Sequence, residues 1–197
     1  MAYDVGGQRI AIANADGSGE RFVTVEASAI DPSWSPDATR LAFTGVDYGE
    51  NGNVEDASLY VTQADGSNYT RIGPGSQPDW SPRADWIVYT SNPARSGGVA
   101  GIWRMHSDGS GNAPVVRSGA DPAFAPSGKR VVFVSGDGKA IYTVSLHGGR
   151  LHRVVRDSRA KSSPVFSADG RSIVYSTADA LWKVPARGGK PKRIASR

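Results

Sequence analysis

Residues 31–43 read DPSWSPDATRLAF, and the same arrangement returns three times, as PDWSPRADWIVY from Pro78, PAFAPSGKRVVF from Pro122 and PVFSADGRSIVY from Pro164. The aromatic positions Trp34, Trp80, Phe124 and Phe166 stand 46, 44 and 42 residues apart. Met once, a Pro-Ser-Trp-Ser-Pro cluster would suggest a binding site. Met at a fixed period, it belongs to the architecture. A second motif runs between the copies: LYVTQADGSNYTRI from Leu59, IWRMHSDGSGNAPVV from Ile102, IYTVSLHGGRLHRVV from Ile141 and LWKVPARGGKPKRI from Leu181. A fifth copy of it, IAIANADGSGERFV from Ile10, lies near the start of the chain.

Each unit translates into strands. The segments Leu41–Phe43, Ile87–Tyr89, Val131–Phe133 and Ile173–Tyr175 are short and β-branched or aromatic, as strands require. The stretches before them, SPDATR, SPRADW, APSGKR and SADGRS, carry turn formers. In the second motif Asp-Gly or Gly-Gly separates two strand-like runs, a strong hairpin signal because both central residues tolerate positive φ. One unit is therefore four antiparallel strands, a to d, and four strands per 40–45 residues is the blade period of a β-propeller. The expected fold is all-β: one propeller domain over residues 1–197. It has about four complete blades (31–73, 76–117, 120–156 and 162–195) and an N-terminal half blade over 8–24. MAYDVGG is too short to supply two further strands, so the reading is a partial propeller, whose open blade edges invite self-association.

The unit P-x-W-S-P-D-x-x-x-L-A-F … L-Y-V-x-x-A-D-G-S-x-x-x-R-I resembles the TolB-like propeller repeat, from about Gln8 to Ile194. Similar blades precede the hydrolase domain in prolyl oligopeptidase relatives and occur in oligogalacturonate lyases. The later units depart from the pattern: Ala125 and Ala168 replace the Ser and Pro of the motif, and Gly-Gly replaces Asp-Gly. The resemblance implies a bacterial, periplasmic or secreted setting, a protein partner and no cofactor. The expected function is a non-enzymatic interaction scaffold. The alternative is an accessory propeller of a larger secreted hydrolase, gating substrate access.

The net charge of +4 is unevenly spread. Residues 1–147 hold 11 Lys/Arg against 16 Asp/Glu, a net of −5, and residues 148–197 hold 12 against 3, a net of +9. Zero cysteines exclude disulfides and thiolate chemistry. No apolar run approaches the length of a membrane span. MAYDVGGQRI lacks the features of a secretory leader, which suits a cytosolic chain or one whose leader has been removed.

Function is expected where the units differ. The b–c loops are long in the first two units, GVDYGENGNVEDAS at 45–58 and SNPARSGGVAG at 91–101, and short in the others. Tyr48, Asn51, Asn53, Glu55 and Arg95 on these loops are the candidate partner contacts. Trp86 joins them because it replaces Arg40, Arg130 and Ser172 at a position expected to face outward. Asp47, Glu50, Asn51, Asn53, Glu55 and Asp56 make an oxygen-rich loop, but Gly49 and Ser58 stand where calcium ligands belong, so no metal is assigned. Asp16, Asp65 and Asp108 are read as turn caps. No catalytic residues are assigned: His106, His147 and His152 show no convergence on a channel, and no G-x-S-x-G elbow occurs. The basic end, with Arg187, Lys190, Lys192, Arg193 and Arg197, suits phosphates. Nucleic acid is nonetheless not the expected partner, because Tyr142 and Trp182 are placed between blades rather than beside those cations.

Overall fold

The computed structural model describes residues 1–6, 9–23, 28–48, 54–91 and 100–196, with only the backbone of residues 54 and 55. The described residues form nineteen strands in five antiparallel sheets, with no helix. The first sheet holds β1 (Ala2–Val5), β2 (Arg9–Ile12) and β3 (Arg21–Val23). The second holds β4 (Ser28–Trp34), β5 (Arg40–Tyr48), β6 (Val54–Gln63) and β7 (Thr70–Pro74). The third holds β8 (Ser76–Trp80), β9 (Ile87–Ser91), β10 (Gly101–Met105) and β11 (Ala113–Val116). In the fourth lie β12 (Ala120–Phe124), β13 (Arg130–Val134), β14 (Ala140–Ser145) and β15 (His152–Arg156). The fifth has β16 (Ser162–Phe166), β17 (Ser172–Ser176), β18 (Ala180–Pro185) and β19 (Lys192–Ser196). Strand order within each sheet follows the chain, as in propeller blades.

The expectation of an N-terminal half blade is corrected: the described residues form five blades, the first of three strands. Residues 2–5 form β1, which pairs along its length with β2, from Ala2 opposite Ile12 to Val5 opposite Arg9. Four residues suffice because every one of them finds a partner on a strand already held by β3. Packing then runs from sheet to sheet through the innermost strands: β1 against β4, β4 against β8, β8 against β12 and β12 against β16. No strand of the fifth sheet pairs with one of the first among the described residues.

The recurring aromatics fill the wedges between sheets. Trp34 packs against Ile10 and Phe43, Trp80 with Ala42 and Leu59, Phe124 with Val88 and Val131, and Phe166 against Val132 and Ile173. Each such ring buries apolar area against the preceding blade, which is why the position repeats. The Ser-Pro-Asp of the opening stretch closes the a–b turn. The Ser35 hydroxyl donates to Asp37 (2.6 Å) and accepts from the Arg40 backbone N–H (2.9 Å). The Ser35 bond, followed by those from the Thr39 N–H (3.1 Å) and hydroxyl (2.9 Å), holds the Asp37 carboxyl down at about 2. The pattern recurs with Ser81 and Asp85, and with Ser167 and Asp169. Asp16, Asp65 and Asp108 cap the c–d turns as expected, each accepting the N–H of the residue two further on.

Candidate functional site

Three regions gather polar side chains: the channel wall, the β5–β6 hairpin and a cleft between the third and fourth sheets. The channel comes from the innermost strands. In each of the last four sheets the residue before the strand-a proline has positive φ: Asp31 (51°), Gln77 (56°), Asp121 (53°) and Ser163 (49°). This conformation is unfavourable for residues other than glycine and costs about 1–3 kcal/mol at each. Each sits at an irregularity of the a–b ladder, between Ile30 and Ser33 in the second sheet and at the equivalent places in the other three. The four line a cavity of about 270 Å³, together with Ser33, Asp79, Ala123 and Val165 two residues further on.

What the strain provides is a chain of hydrogen bonds from blade to blade. The Thr44 hydroxyl donates to Asp31 (3.2 Å) and accepts from the Gln77 N–H (2.9 Å). The Gln77 side chain both donates to the Asp121 carboxylate and accepts from the Asp121 N–H (3.2 Å). Asp121 in turn accepts from the Ser163 N–H (2.8 Å). Burial, helped by the nearby charges of Asp121 and Asp4, pushes the Asp31 carboxyl up. In the next tier Asp79 accepts from the Phe124 N–H (2.7 Å) and the Ser33 hydroxyl (3.3 Å). As a residue Asp79 is only partly buried, but its carboxyl is set deep in the wall, and desolvation raises it to about 6.

The second region corrects the reading of 45–58 as a loop. Strands β5 and β6 run for nine and ten residues, whereas β9, β10, β13 and β17 have five each and β14 and β18 have six. Pairing continues through Gly45–Ser58, Val46–Ala57 and Asp47–Asp56 to Tyr48–Val54, so the hairpin projects past the blade. Tyr48, near its tip, is 47% exposed. Asp47 stands directly opposite Asp56, a like-charge pairing that strands otherwise avoid. Glu50, Asn51, Asn53 and Arg95 lie outside the described residues, as does the side chain of Glu55. No group of three or more His, Asp or Glu able to hold a metal exists among the described residues.

The third region was not read from the sequence. Trp86 is half-buried rather than standing free in solvent, and packs against the core shared by the third and fourth sheets. The His106 ring stacks on it, with centroids 3.9 Å apart and planes at 28°. The Arg104 guanidinium lies 4.5 Å from the centroid of the same indole. His106 Nδ1 donates to the Asp85 carbonyl (2.8 Å), since a carbonyl only accepts. Arg104 Nη1 donates across to Nδ1 of His147 in the fourth sheet (2.6 Å), leaving Nε2 as that ring's N–H. Arg83, Asp85, Trp86, Lys129 and His147 line the cavity of about 390 Å³ at this junction. The usable signal was the separation of His106 and His147, 41 residues or one blade period, at matching turns of adjacent units.

Toward the C-terminus Trp182 lies under Arg159 (4.2 Å) and Tyr142 stacks on Phe133, which leaves neither ring as an open platform for a base.

Sheet order, blade number and inter-blade packing define the chain as a β-propeller of antiparallel blades. Its solved neighbours refine this to a TolB-like β-propeller. TolB from Acinetobacter baumannii superposes with a TM-score of 0.77 at 19% identity, over 95% of this chain and 49% of that one. A structure assigned to TolB of Agrobacterium tumefaciens does so with a TM-score of 0.79 at 19% identity, over 96% and 74%. An oligogalacturonate lyase in complex with manganese shares the fold at TM-score 0.70 and 16% identity, over 99% of this chain and 61% of that one. Among curated relatives, an uncharacterized protein of Agrobacterium fabrum is 27% identical over 87% of this chain and 62% of its own length. The uncharacterized peptidase YuxL of Bacillus subtilis is 26% identical over 53% of this chain and 17% of its own. The chain thus spans less than two thirds of the length of these relatives. No family model matches it.

Proposed function

We propose that this chain is a non-catalytic, protein-binding module that presents a projecting hairpin from a rigid propeller. The observation that carries the reading is the extension of β5 and β6 beyond the blade, with Tyr48 exposed at 47% near the tip. Tyrosine combines a large contact area with few rotatable bonds and is over-represented among residues that dominate interfaces. The channel supports the same reading, because Gln77, Asp79 and Asp121 are engaged in bonds that join blades. The TolB likeness adds an extracytoplasmic setting to the proposal.

Trimming the hairpin is the test. Val46 and Ala57 are register partners, so residues 47–56 can be replaced by Asn-Gly, a turn suited to joining antiparallel strands. The trimmed chain should keep its β circular dichroism and melting temperature but lose the proteins captured from a cell-envelope extract by the intact chain. Capture of the same proteins by both forms would overturn the reading, as would turnover of oligogalacturonide by the chain supplied with manganese. The match to YuxL favours a second reading, an accessory propeller of a larger hydrolase. A reading frame that continues into a hydrolase domain would select it.

A further inference from the structure

The cleft at Trp86 lies at the a–b and c–d turns, the opposite end of the blades from the β5–β6 hairpin tip. Its charges are poorly balanced. The described residues contain three ion pairs, Arg156–Asp137, Arg159–Asp157 and Lys161–Asp157, and none involves Arg83, Arg104 or Lys129. Arg104 is half-buried, and its Nε is buried with no hydrogen-bond partner. A guanidinium in that position, held by an indole face and an imidazole lone pair, lacks a counter-charge. The one carboxylate lining this cavity, Asp85, accepts the Ser81 hydroxyl (2.5 Å).

The cleft opens onto a longer basic track. A second cavity, of about 600 Å³, shares Ser127 with the first and adds Arg130, Arg171 and Arg187 against one carboxylate, Asp169. A third, of about 550 Å³, shares Arg130 and Arg187 with the second and adds Arg150, His152 and Arg153. Trp86 is the aromatic of the first cavity, the second has Phe166, which is half-buried in its wedge against Val132 and Ile173, and the third has none.

We infer that this track binds an acidic peptide segment, with one apolar side chain of the segment seated against Trp86 and its carboxylates carried over Arg130, Arg153 and Arg187. The juxtaposition of the Trp86 cleft with a row of guanidiniums favours a peptide over a nucleic acid, which would need open stacking platforms along the track, and the wedge-packed Phe166 offers none. The inference is independent of the hairpin reading, since it concerns other residues on the other face.

The chain has three histidines, and two of them, His106 and His147, belong to the cleft. Imidazole NMR signals therefore report the cleft directly, alongside the Trp86 indole. The probe is a labelled peptide of one phenylalanine followed by a run of glutamates. Titrating it should move the His106, His147 and Trp86 signals, and binding should weaken as salt rises. Lys129→Glu and Arg187→Glu, both at exposed positions, should each weaken binding about tenfold without loss of fold. Replacing the probe's phenylalanine by serine should abolish the Trp86 shift. The hairpin-trimmed chain should bind the peptide as the intact chain does. The inference fails if the cleft signals stay still, if the serine probe binds equally, or if oligothymidylate binds as tightly as the peptide. It also fails if trimming the hairpin removes binding, a result that would leave the hairpin reading standing.

Discussion

The channel wall and the Trp86 cleft are both polar, both run between blades, and use their polar groups in opposite ways. Along the channel each carboxylate and amide is bonded to the neighbouring blade's backbone or side chain: Gln77 to Asp121, Asp121 to Ser163, Asp79 to Phe124. In the cleft the one bond from blade to blade, Arg104 to His147, joins a cation to a neutral ring and leaves the positive charge uncompensated. The channel residues stand at repeating positions and hold the blades in register. Trp86, His106 and Arg104 stand where the third sheet departs from the repeat. Chemistry that recurs holds the fold together, and chemistry that appears once is available to a partner.

The largest effect that would sharpen this contrast lies at the start of an inner strand. Gly119 has φ +138°, and a Cβ there would lie 2.6 Å from Phe133 Cδ2 and 2.8 Å from the Val134 carbonyl oxygen. Gly119→Val is expected to destabilise the fold by about 3 kcal/mol or more in urea titrations, from backbone strain together with displacement of a buried ring. A loss under about 1 kcal/mol would show that the inner strand is not the rigid element described.

An intermediate effect belongs to Asp79. Its folded-state carboxyl titrates near 6 and an unfolded one near 3.9, so the folded state holds the proton more tightly. Stability contributed by the neutral form is complete below about pH 4 and is lost as pH rises through 6. With allowance for solvent in the channel, ionisation there costs about 2 kcal/mol at neutral pH. Asp79→Asn keeps an acceptor for the Phe124 N–H and removes the charge. It should therefore match the parent protein near pH 4 and exceed it by about 2 kcal/mol at pH 8, measured by urea unfolding at both. Equal stability of the two proteins at both pH values would break the account.

The smallest effect marks the cleft. Arg104→Met retains the stem over Trp86 and deletes the uncompensated charge, so the fold should gain up to about 1 kcal/mol or stay unchanged. A clear loss of stability would place Arg104 with the channel residues as a structural group.

The five-blade body was largely legible because geometry enforces repetition: a wedge between blades needs the same ring at the same step, hence Trp34, Trp80, Phe124 and Phe166. Strand β1 was not legible, because Ala2–Val5 carries no copy of either motif and is recruited by pairing with β2 and packing against β4. The extended hairpin was hidden by its glycines and acids, which resemble a loop, although backbone pairing carries Asp47 past Asp56 despite like charges. The repeat showed that position 86 was exceptional but not where its side chain would go. That depended on His106 of its own hairpin and on the core shared with the fourth sheet, neither of which is adjacent to it in sequence.

The sheet-to-sheet packing of the inner strands also governs how the molecule comes apart. With each blade packed on its neighbours through the inner strands, opening spreads by steps from blade to blade, and the three-stranded sheet has the fewest paired strands to resist it. Slow amide exchange would therefore concentrate in the middle blades. Both proposed contact regions, on the second blade and at the third-to-fourth junction, rest on four-stranded sheets.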